Sequence, residues 1–337
     1  MNLAQQQFIM ALAWYRSRYA LFLGLNQNRE ANEEGIQLFA QKWMGSFKQD
    51  FTGVAKSLVA QNILFVEAGN YDFTEYGTQV KNQIETESPF FKFEYNTYFD
   101  AVKTSKAHSV FCERVYGKDL SQHGLINQFE LQFLIDKLRE CKSTHILDLG
   151  CGNGKITEEI SVQTGANCMG VDISDEGIKD AQERCKVYPK LTFNTGNINR
   201  LNLSQKFDSI LFLDTLYYAD SLQETLQQCK SLLQEGGKIY AYFSQWIMEE
   251  QYQQNLLAAH THLAKALAAL NANYTYIDLS ESGINHWKQK LAVLEEMQEA
   301  FAAENHADLW DYRYREAFRY AHWGDKKYSR FLYIIAF

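Results

Sequence analysis

An acid followed by alternating glycines is the pattern in this sequence that most directly suggests chemistry. Asp148 stands two residues before Gly150, and further glycines occupy positions 152 and 154. Glycine has no Cβ atom, so a ligand can approach the backbone of such a turn closely. A second acid, Asp172, follows at the distance of about 20 residues where a carboxylate commonly bonds a ribose hydroxyl. Together these residues predict a nucleotide site.

Two kinds of nucleotide ligand fit a glycine turn of this sort, a dinucleotide and S-adenosylmethionine. The dinucleotide pattern is G-x-G-x-x-G, whose third glycine lets the helix pack closely on the strand. Here the glycines alternate, and an acid precedes them. A carboxylate at that place repels a pyrophosphate, whereas it attracts the cationic ammonium or sulfonium of S-adenosylmethionine. The residues therefore favour S-adenosylmethionine.

The middle of the chain alternates strand-like and helix-like segments. Apolar runs occupy residues 144–149, 167–171, 191–194, 209–213 and 238–243, and helical patterns occupy 155–164, 174–187 and 221–233. Strands that alternate with helices indicate right-handed crossovers and a parallel sheet. In such sheets ligands bind at the carboxyl ends of the strands. Asp148, Asp172 and Asp214 all fall at these ends.

Residues of about 143 to 245 resemble the core of the class I S-adenosylmethionine-dependent methyltransferases. The motif that carries the resemblance is Asp148-Leu149-Gly150-Cys151-Gly152-Asn153-Gly154, followed in order by Asp172, Gly196-Asn197-Ile198, Asp214 and Gly236-Gly237. The resemblance implies an α/β fold, Rossmann-like and doubly wound, with a mostly parallel seven-stranded sheet. It also implies an enzyme whose cofactor is S-adenosylmethionine and whose acceptor is a small molecule.

The resemblance assigns the turn to the methionine end of the cofactor and the next acid to its ribose. Asp148 is expected to face the amino-acid end, while Gly150 and Gly152 supply backbone contacts. Cys151 is expected to be a small residue of the same contact and not a nucleophile. Asp172 is expected to accept hydrogen bonds from both ribose hydroxyls.

The resemblance assigns a second group of residues to the adenine and to the reaction centre. Ile173 is expected to pack on the adenine, and Ile198 to stack on its ring. Asn197 stands where the family commonly has an acid that bonds the adenine amine, a bond that an amide oxygen can still accept. Asp214 is expected where cofactor and acceptor meet, with a carboxylate that caps the following turn as the alternative.

Six side chains are candidates for the acceptor side of the reaction, because they stand in the lead-in to the core or after the fourth and fifth strands. They are Tyr116, Gln122, His123, Tyr217, Tyr218 and Trp246. His123 and Tyr217 are the predicted catalytic residues. A neutral imidazole suits a general base near pH 7, and a hydrogen-bonded surface or capping histidine is the alternative for His123.

The pattern of predicted helices and strands divides the chain into residues 1–100 and 101–337. The first part has a helix at 54–62, a hairpin around residues 68–70 and a helix capped by Thr74, the order of a winged helix. Residues 1–90 carry seven basic and nine acidic side chains, which disfavours DNA binding because phosphates need a basic face. We expect a dimerisation and cap domain here, and a helical lid at about 247–325 that begins with a helix from about Glu249 to Leu270.

Composition limits the partners. The 337 residues have a net charge of −8, which argues against nucleic-acid or anionic membrane partners. Six scattered cysteines without zinc spacing indicate a reduced, cytoplasmic protein and no metal. We expect O- or C-methylation of a metabolite by a homodimer.

Three alternatives remain open from the sequence. One is an N-methyltransferase of an amino acid or amine, with an aromatic cage for the cation. The late aromatics that suggest a cage are Trp287, Trp310, Tyr312, Tyr314, Tyr320 and Trp323, although Arg313, Arg315 and Arg319 beside them suit a carboxylate instead. The others are an RNA or protein methyltransferase and a non-catalytic DNA-binding regulator.

Overall fold

A computed structural model describes residues 1–16, 31–41, 50–247, 250–323 and 326–337, the side chains of Glu250 and Trp323 excepted. The chain divides into two compact units, Met1–Asp100 and Ala101–Phe337. Within the described ranges, every helix is too short or too polar to cross a membrane.

The first unit contains helices followed by a hairpin and a further helix. Its elements are α1 (Leu3–Tyr15), α2 (Glu33–Gln41), α3 (Val54–Ala60), β1 (Leu64–Glu67), β2 (Asn70–Phe73), α4 (Glu75–Glu87) and the start of α5 (Phe90–Thr104). Thr74 caps α4 as expected, since its hydroxyl accepts the Gly77 N–H at 2.8 Å. Gly77 lies so close to Ile63 that a Cβ atom would fall 1.8 Å from the Ile63 carbonyl oxygen. The predicted order of helix, hairpin and capped helix is therefore present.

The second unit is built on a seven-stranded sheet. The strands are β3 (His145–Leu149), β4 (Asn167–Asp172), β5 (Leu191–Thr195), β6 (Phe207–Leu213), β7 (Leu233–Trp246), β8 (Asn273–Asp278) and β9 (Tyr328–Ala336). They are ordered β5-β4-β3-β6-β7-β9-β8. The first five strands in this order pair in parallel, and β9 runs antiparallel to both of its neighbours. The mostly parallel, doubly wound sheet predicted from the sequence is confirmed.

Helices surround this sheet. They are α6 (Lys106–Tyr116), α7 (Gln128–Glu140), α8 (Lys155–Thr164), α9 (Asp175–Arg184), α10 (Leu222–Leu232), α11 (His262–Ala269), α12 (Ser280–Ala303) and α13 (Ala307–Trp323), with short 3₁₀ turns at Leu216–Tyr218 and Glu250–Leu256. Alternate residues of β6 enter different cores: Ile210 and Phe212 pack in one hydrophobic cluster, Leu211 and Leu213 in the other. Successive side chains of a strand point to opposite faces of the sheet, so the burial of both sets shows that both faces are covered.

The segment 247–325 contains α11, α12 and α13 and also the edge strand β8; residues 248–249 and 324–325 lie outside the described part. Among the described strands, β8 pairs with β9 alone. That this segment acts as a lid stays a prediction. The expected helix from about Glu249 to Leu270 is wrong, because a 3₁₀ turn precedes a separate helix, α11. Thr261 begins that helix by accepting the Ala264 N–H at 3.1 Å.

Candidate active site

Asp148 lies near the carboxyl end of β3, beside the start of α8. Its Oδ2 accepts the Thr157 hydroxyl at 2.6 Å. Its Oδ1 is buried and has no hydrogen-bond partner among the described residues. Burial raises the pKa of this carboxyl to about 7. A buried carboxylate oxygen without a partner is costly, so the position favours a ligand that carries a donor or a positive charge.

The turn after β3 requires glycine for two separate reasons. Gly150, Gly152 and Gly154 have φ values of +83°, +58° and +73°, a region that residues with a Cβ atom rarely adopt. A Cβ atom on Gly150 would also fall 2.4 Å from Cγ2 of Thr215. The Thr215 hydroxyl in turn donates to the Leu149 carbonyl at 2.6 Å. The turn therefore packs directly on the residue after Asp214.

Cys151 sits inside this turn with a protonated thiol. Burial, with Asp172 and Asp148 adding to it, raises the pKa of the thiol well above its ordinary value. A thiolate is the nucleophilic form of cysteine, so this environment opposes a nucleophilic role. The sulfur lies 2.7 Å from the position that a Cβ atom of Gly170 would take, which shows how tightly the turn packs on β4.

Asp172 ends β4, and the backbone orients its carboxylate. Its Oδ2 accepts the Gly152 N–H at 2.7 Å, and its Oδ1 accepts the Ser174 N–H at 2.8 Å. Each oxygen has a second lone pair, so both remain able to accept one further hydrogen bond. The carboxylate is thus held next to the glycine turn, in a position that suits two vicinal hydroxyl groups.

The predicted adenine residues occupy the loops after β4 and β5. Ile173 is half-buried, whereas Ile198 is buried in one of the two hydrophobic clusters. The Asn197 side-chain oxygen already accepts the Asn199 N–H at 2.9 Å. This bond fixes the amide and leaves one lone pair of the oxygen. Contacts of these three residues with adenine remain predictions.

Both carboxylate oxygens of Asp214 bond to other groups of the protein. Its Oδ1 accepts Nε of Arg330 at 3.2 Å, and its Oδ2 accepts Nη2 of Arg330 at 2.9 Å and the Leu125 N–H at 2.8 Å. Arg330 also donates Nη1 to both carboxylate oxygens of Glu130. The carboxylate is therefore turned into a buried ion-pair network. The network positions the strand end, and contact of Asp214 with the cofactor stays a prediction.

Tyr116 and Gln122 also have partners within the protein. The Tyr116 hydroxyl donates to the Gly124 carbonyl at 2.9 Å and accepts Nη2 of Arg313 at 2.8 Å. The Gln122 amide accepts the Leu120 N–H and donates to the Lys118 carbonyl, so it closes its own loop. These bonds shape the loop, and contact of either residue with the substrate stays a prediction.

His123 forms a pair with Tyr312 of α13. Its Nε2 lies 2.8 Å from the Tyr312 hydroxyl. Burial, together with Arg313 and Lys290, lowers the pKa of His123 well below its ordinary value. The imidazole is therefore neutral near pH 7. Its backbone carbonyl accepts Nη1 of Arg313 at 3.0 Å, which anchors the loop to α13.

The remaining acceptor candidates lie in a row of aromatic rings after β6 and β7. The centroid of Tyr217 lies 5.0 Å from that of Tyr218 and 5.5 Å from that of Trp246. Trp246 stacks on Tyr320 at 5.4 Å, and Tyr320 lies 4.6 Å from Trp287. The structure therefore brings Tyr217, Tyr218 and Trp246 together with two of the late aromatics.

The face of Trp287 is already covered by a cation of the protein. Nζ of Lys290 lies 4.0 Å from its ring centroid. An amine ligand would need this same position in a cage. Trp310 donates to the Leu294 carbonyl and stacks on Tyr314, while the side chain of Trp323 lies outside the described part. The described aromatics therefore do not favour an amine cage at Trp287.

Sequence reasoning missed several charged residues of the site. Arg330 lies in β9, and Glu130 near the start of α7, far apart in sequence from Asp214. An arginine at the edge of the apolar run Phe331–Phe337 was a signal, because such a charge needs a buried partner. Lys290 had no comparable signal, since α12 is rich in charged residues.

The comparisons with known proteins agree with this geometry. Residues 140–300 match a family model described as "Methyltransferase domain". A sterol 24-C-methyltransferase of Pneumocystis carinii is 28% identical over 188 residues, which cover 54% of this chain and 46% of the relative. A ubiquinone biosynthesis O-methyltransferase of Coxiella burnetii is 29% identical over 149 residues, 41% of this chain and 62% of the relative. The chain thus spans less than two thirds of either relative.

Solved structures share the fold at low sequence identity. The phosphoethanolamine N-methyltransferase 2 of Haemonchus contortus, in complex with S-adenosyl-L-methionine, has a TM-score of 0.56 at 14% identity. The match covers 72% of this chain and 59% of that one. A putative sarcosine dimethylglycine methyltransferase of Galdieria sulphuraria has a TM-score of 0.52 at 14% identity, over 61% of this chain and 84% of that one.

Proposed function

We propose that this protein is an enzyme that methylates an oxygen or carbon atom of a small metabolite. The premise is that its residues 140–300 belong to the class I S-adenosylmethionine-dependent methyltransferases. The observation that carries this proposal is the Asp148 oxygen without a hydrogen-bond partner, beside a turn in which a Cβ atom at Gly150 would clash with Thr215. A buried carboxylate oxygen next to a turn of glycines suits a cationic nucleoside and opposes a pyrophosphate.

The residues of the turn fit that cofactor. Asp148 Oδ1 takes the ammonium end, directly or through water. The backbone of Gly150 and Gly152 lines the approach. Asp172, oriented by the Gly152 and Ser174 N–H groups, accepts the ribose hydroxyls. Asn197 bonds the adenine amine with the lone pair that the Asn199 N–H leaves.

The chemical demands on the protein are mainly positional. S-adenosylmethionine supplies a methyl group on a sulfonium, which is already activated toward nucleophiles. The chain must hold the acceptor atom in line with that methyl group, and positioning of this kind contributes roughly 7–11 kcal/mol in well-oriented systems. Tyr217 and Trp246 are proposed to hold the acceptor, because their rings stand just beyond the carboxyl ends of β6 and β7.

His123 is proposed as the group that takes the acceptor proton. Its lowered pKa keeps the imidazole neutral, and the Tyr312 hydroxyl at 2.8 Å fixes the orientation of the ring. A positioned base of this type contributes typically about 10²–10⁴-fold. An acceptor that is already ionised, or a carbanion, does not need this step.

We further propose that residues 1–100 mediate a homodimer and that the protein works in the cytoplasm. The six cysteines are all unpaired, which supports a reducing compartment. Light scattering tests the dimer by comparing the molar mass of the whole chain with that of residues 101–337 alone. The comparison holds provided that the shorter chain shows a cooperative unfolding transition. A dimeric shorter chain contradicts the assignment to residues 1–100.

Calorimetric titration with S-adenosylhomocysteine and with NADH tests the proposed function. We expect saturable binding of the first alone, and roughly tenfold weaker binding by Asp148→Asn, since a hydrogen bond to a charged group is worth about 1.5–3 kcal/mol. Asp136→Asn on the exposed side of α7 is the control. Labelled S-adenosylmethionine is then offered with small-molecule, RNA and protein fractions of a lysate. Absence of S-adenosylhomocysteine binding, or label confined to either polymer, contradicts the proposal.

A further inference from the structure

Three neighbouring side chains on one face of α12 are buried with unused hydrogen-bonding capacity. His286, Trp287 and Lys290 are 5%, 3% and 0% exposed. Nε2 of His286 and Nε1 of Trp287 have no partner among the described residues. Nζ of Lys290 makes one hydrogen bond within those residues, a long one of 3.5 Å to Glu316. Buried polar atoms without hydrogen-bond partners are costly, and proteins rarely keep them without a reason.

This face is connected to the reaction centre through packed rings. Trp287 contacts Tyr320 at 4.6 Å between centroids, and Tyr320 stacks on Trp246 at 5.4 Å. Trp246 contacts Tyr217 at 5.5 Å. Tyr217 follows Asp214 at the end of β6 by three residues. These packed rings therefore connect the end of β6 with α12.

The charges around Lys290 favour an anion. Glu316 is shared between Lys290 at 3.5 Å and Arg313 at 3.6 Å, so one carboxylate faces two cationic groups. Burial and Arg313 lower the pKa of Lys290 to about 7, and the opposing effects of Glu316 and Cys112 do not compensate. A second anion beside Nζ would stabilise the charged ammonium.

With the proposed function as its premise, we propose that His286, Trp287 and Lys290 bind an oxyanion of the methyl acceptor, a carboxylate or a phosphate. The indole N–H of Trp287 can only donate, so it calls for an acceptor atom. Lys290 occupies the cation position over the Trp287 ring, which opposes an amine at this place. The acceptor is thus a small acid whose body packs on Tyr320 and Trp246.

Ligand-observed NMR titration of the protein saturated with S-adenosylhomocysteine tests this assignment. The probes are benzoate, phenyl phosphate and benzamide, which share a ring and differ in charge. We expect at least one acid to bind about tenfold more tightly than benzamide, and Lys290→Met to remove that preference. The acid that binds identifies carboxylate or phosphate as the source of the oxyanion.

The matched control is Lys288→Met, which removes an exposed lysine from the same helix and should leave all affinities unchanged. Trp287→Phe keeps an aromatic ring and removes the N–H donor, so it should weaken acid binding even if Lys290→Met fails to fold. Equal binding of benzamide and the acids, or failure of both acids to bind, overturns the inference. S-adenosylhomocysteine binding is measured in every variant, and its loss in the wild type overturns the proposed function instead.

Discussion

Arg330 and Asp214 form a two-point ion pair that joins the last strand of the sheet to the end of β6. Nε and Nη2 of Arg330 lie 3.2 and 2.9 Å from the two carboxylate oxygens, and both side chains are buried. Asp214 has a φ of +60°, unusual for a residue with a Cβ atom. The ion pair and the Leu125 N–H fix this conformation, and the loop that carries His123 is thereby attached to the strand end.

Replacement of Arg330 should strongly destabilise the second unit. Arg330→Met leaves the buried carboxylates of Asp214 and Glu130 without their cation, so we expect a loss of about 3–5 kcal/mol in the free energy of unfolding. Urea denaturation measures it. Arg114→Met, which breaks an exposed pair with Glu296, is the control and should cost less than about 1 kcal/mol. Equal losses in the two variants would show that the buried network adds nothing.

Asp172 should determine affinity for the nucleoside. Asp172→Asn keeps the shape of the side chain and removes the charge that accepts hydrogen bonds. We expect S-adenosylhomocysteine to bind at least tenfold more weakly, because hydrogen bonds to a charged group are worth about 1.5–3 kcal/mol each. Isothermal calorimetry measures this, with Asp136→Asn as control. An unchanged affinity would remove the ribose assignment.

Gly150 should be intolerant of a methyl group because of Thr215. Gly150→Ala combines a left-handed φ, about 1–2 kcal/mol, with a clash against Cγ2 of Thr215 that adds about 1–3 kcal/mol. Gly236→Ala is the matched control, since its φ is +75° but nothing lies within 4 Å of the added atom. Gly150→Ala should therefore lower the midpoint of thermal unfolding more than Gly236→Ala does.

Thr215→Ser provides the second half of this test. It removes Cγ2 but keeps the hydroxyl that donates to the Leu149 carbonyl. Combined with Gly150→Ala, it should recover part of the lost stability. Strictly additive effects of the two substitutions would contradict the proposed contact.

Lys290 should make stability rise with pH above neutrality. Its pKa falls from 10.5 in the unfolded chain to about 7 in the folded one. Between these values the unfolded state binds more protons, so the free energy of unfolding increases by up to about 1.4 kcal/mol per pH unit. Urea denaturation from pH 7 to 8.5 should show a smaller slope for Lys290→Met than for wild type. Lys288→Met should keep the wild-type slope, and identical slopes in all three proteins would contradict the lowered pKa of Lys290.

The sequence by itself determined the sheet core and the cofactor turn, because both depend on local patterns. Alternating apolar runs placed β3 to β7, and the glycines with Asp148 and Asp172 predicted a nucleoside site. Each of these features is a relation between residues that are near in sequence or that repeat with a strand or helix period. The edge strand β8 was not predicted, because a short polar strand has the sequence pattern of a loop and is recognised only by its pairing with β9.

Only the tertiary structure decided which groups of the protein Asp214, Tyr116 and Gln122 bind. Their hydrogen-bonding groups could face a ligand or the protein, and the choice depends on partners elsewhere in the fold. Arg330, 116 residues from Asp214 in the sequence, binds that carboxylate. The burial of Lys290 could not be predicted for the same reason. Each turn of α12 carries similar residues, and what packs against a turn decides whether its lysine is buried.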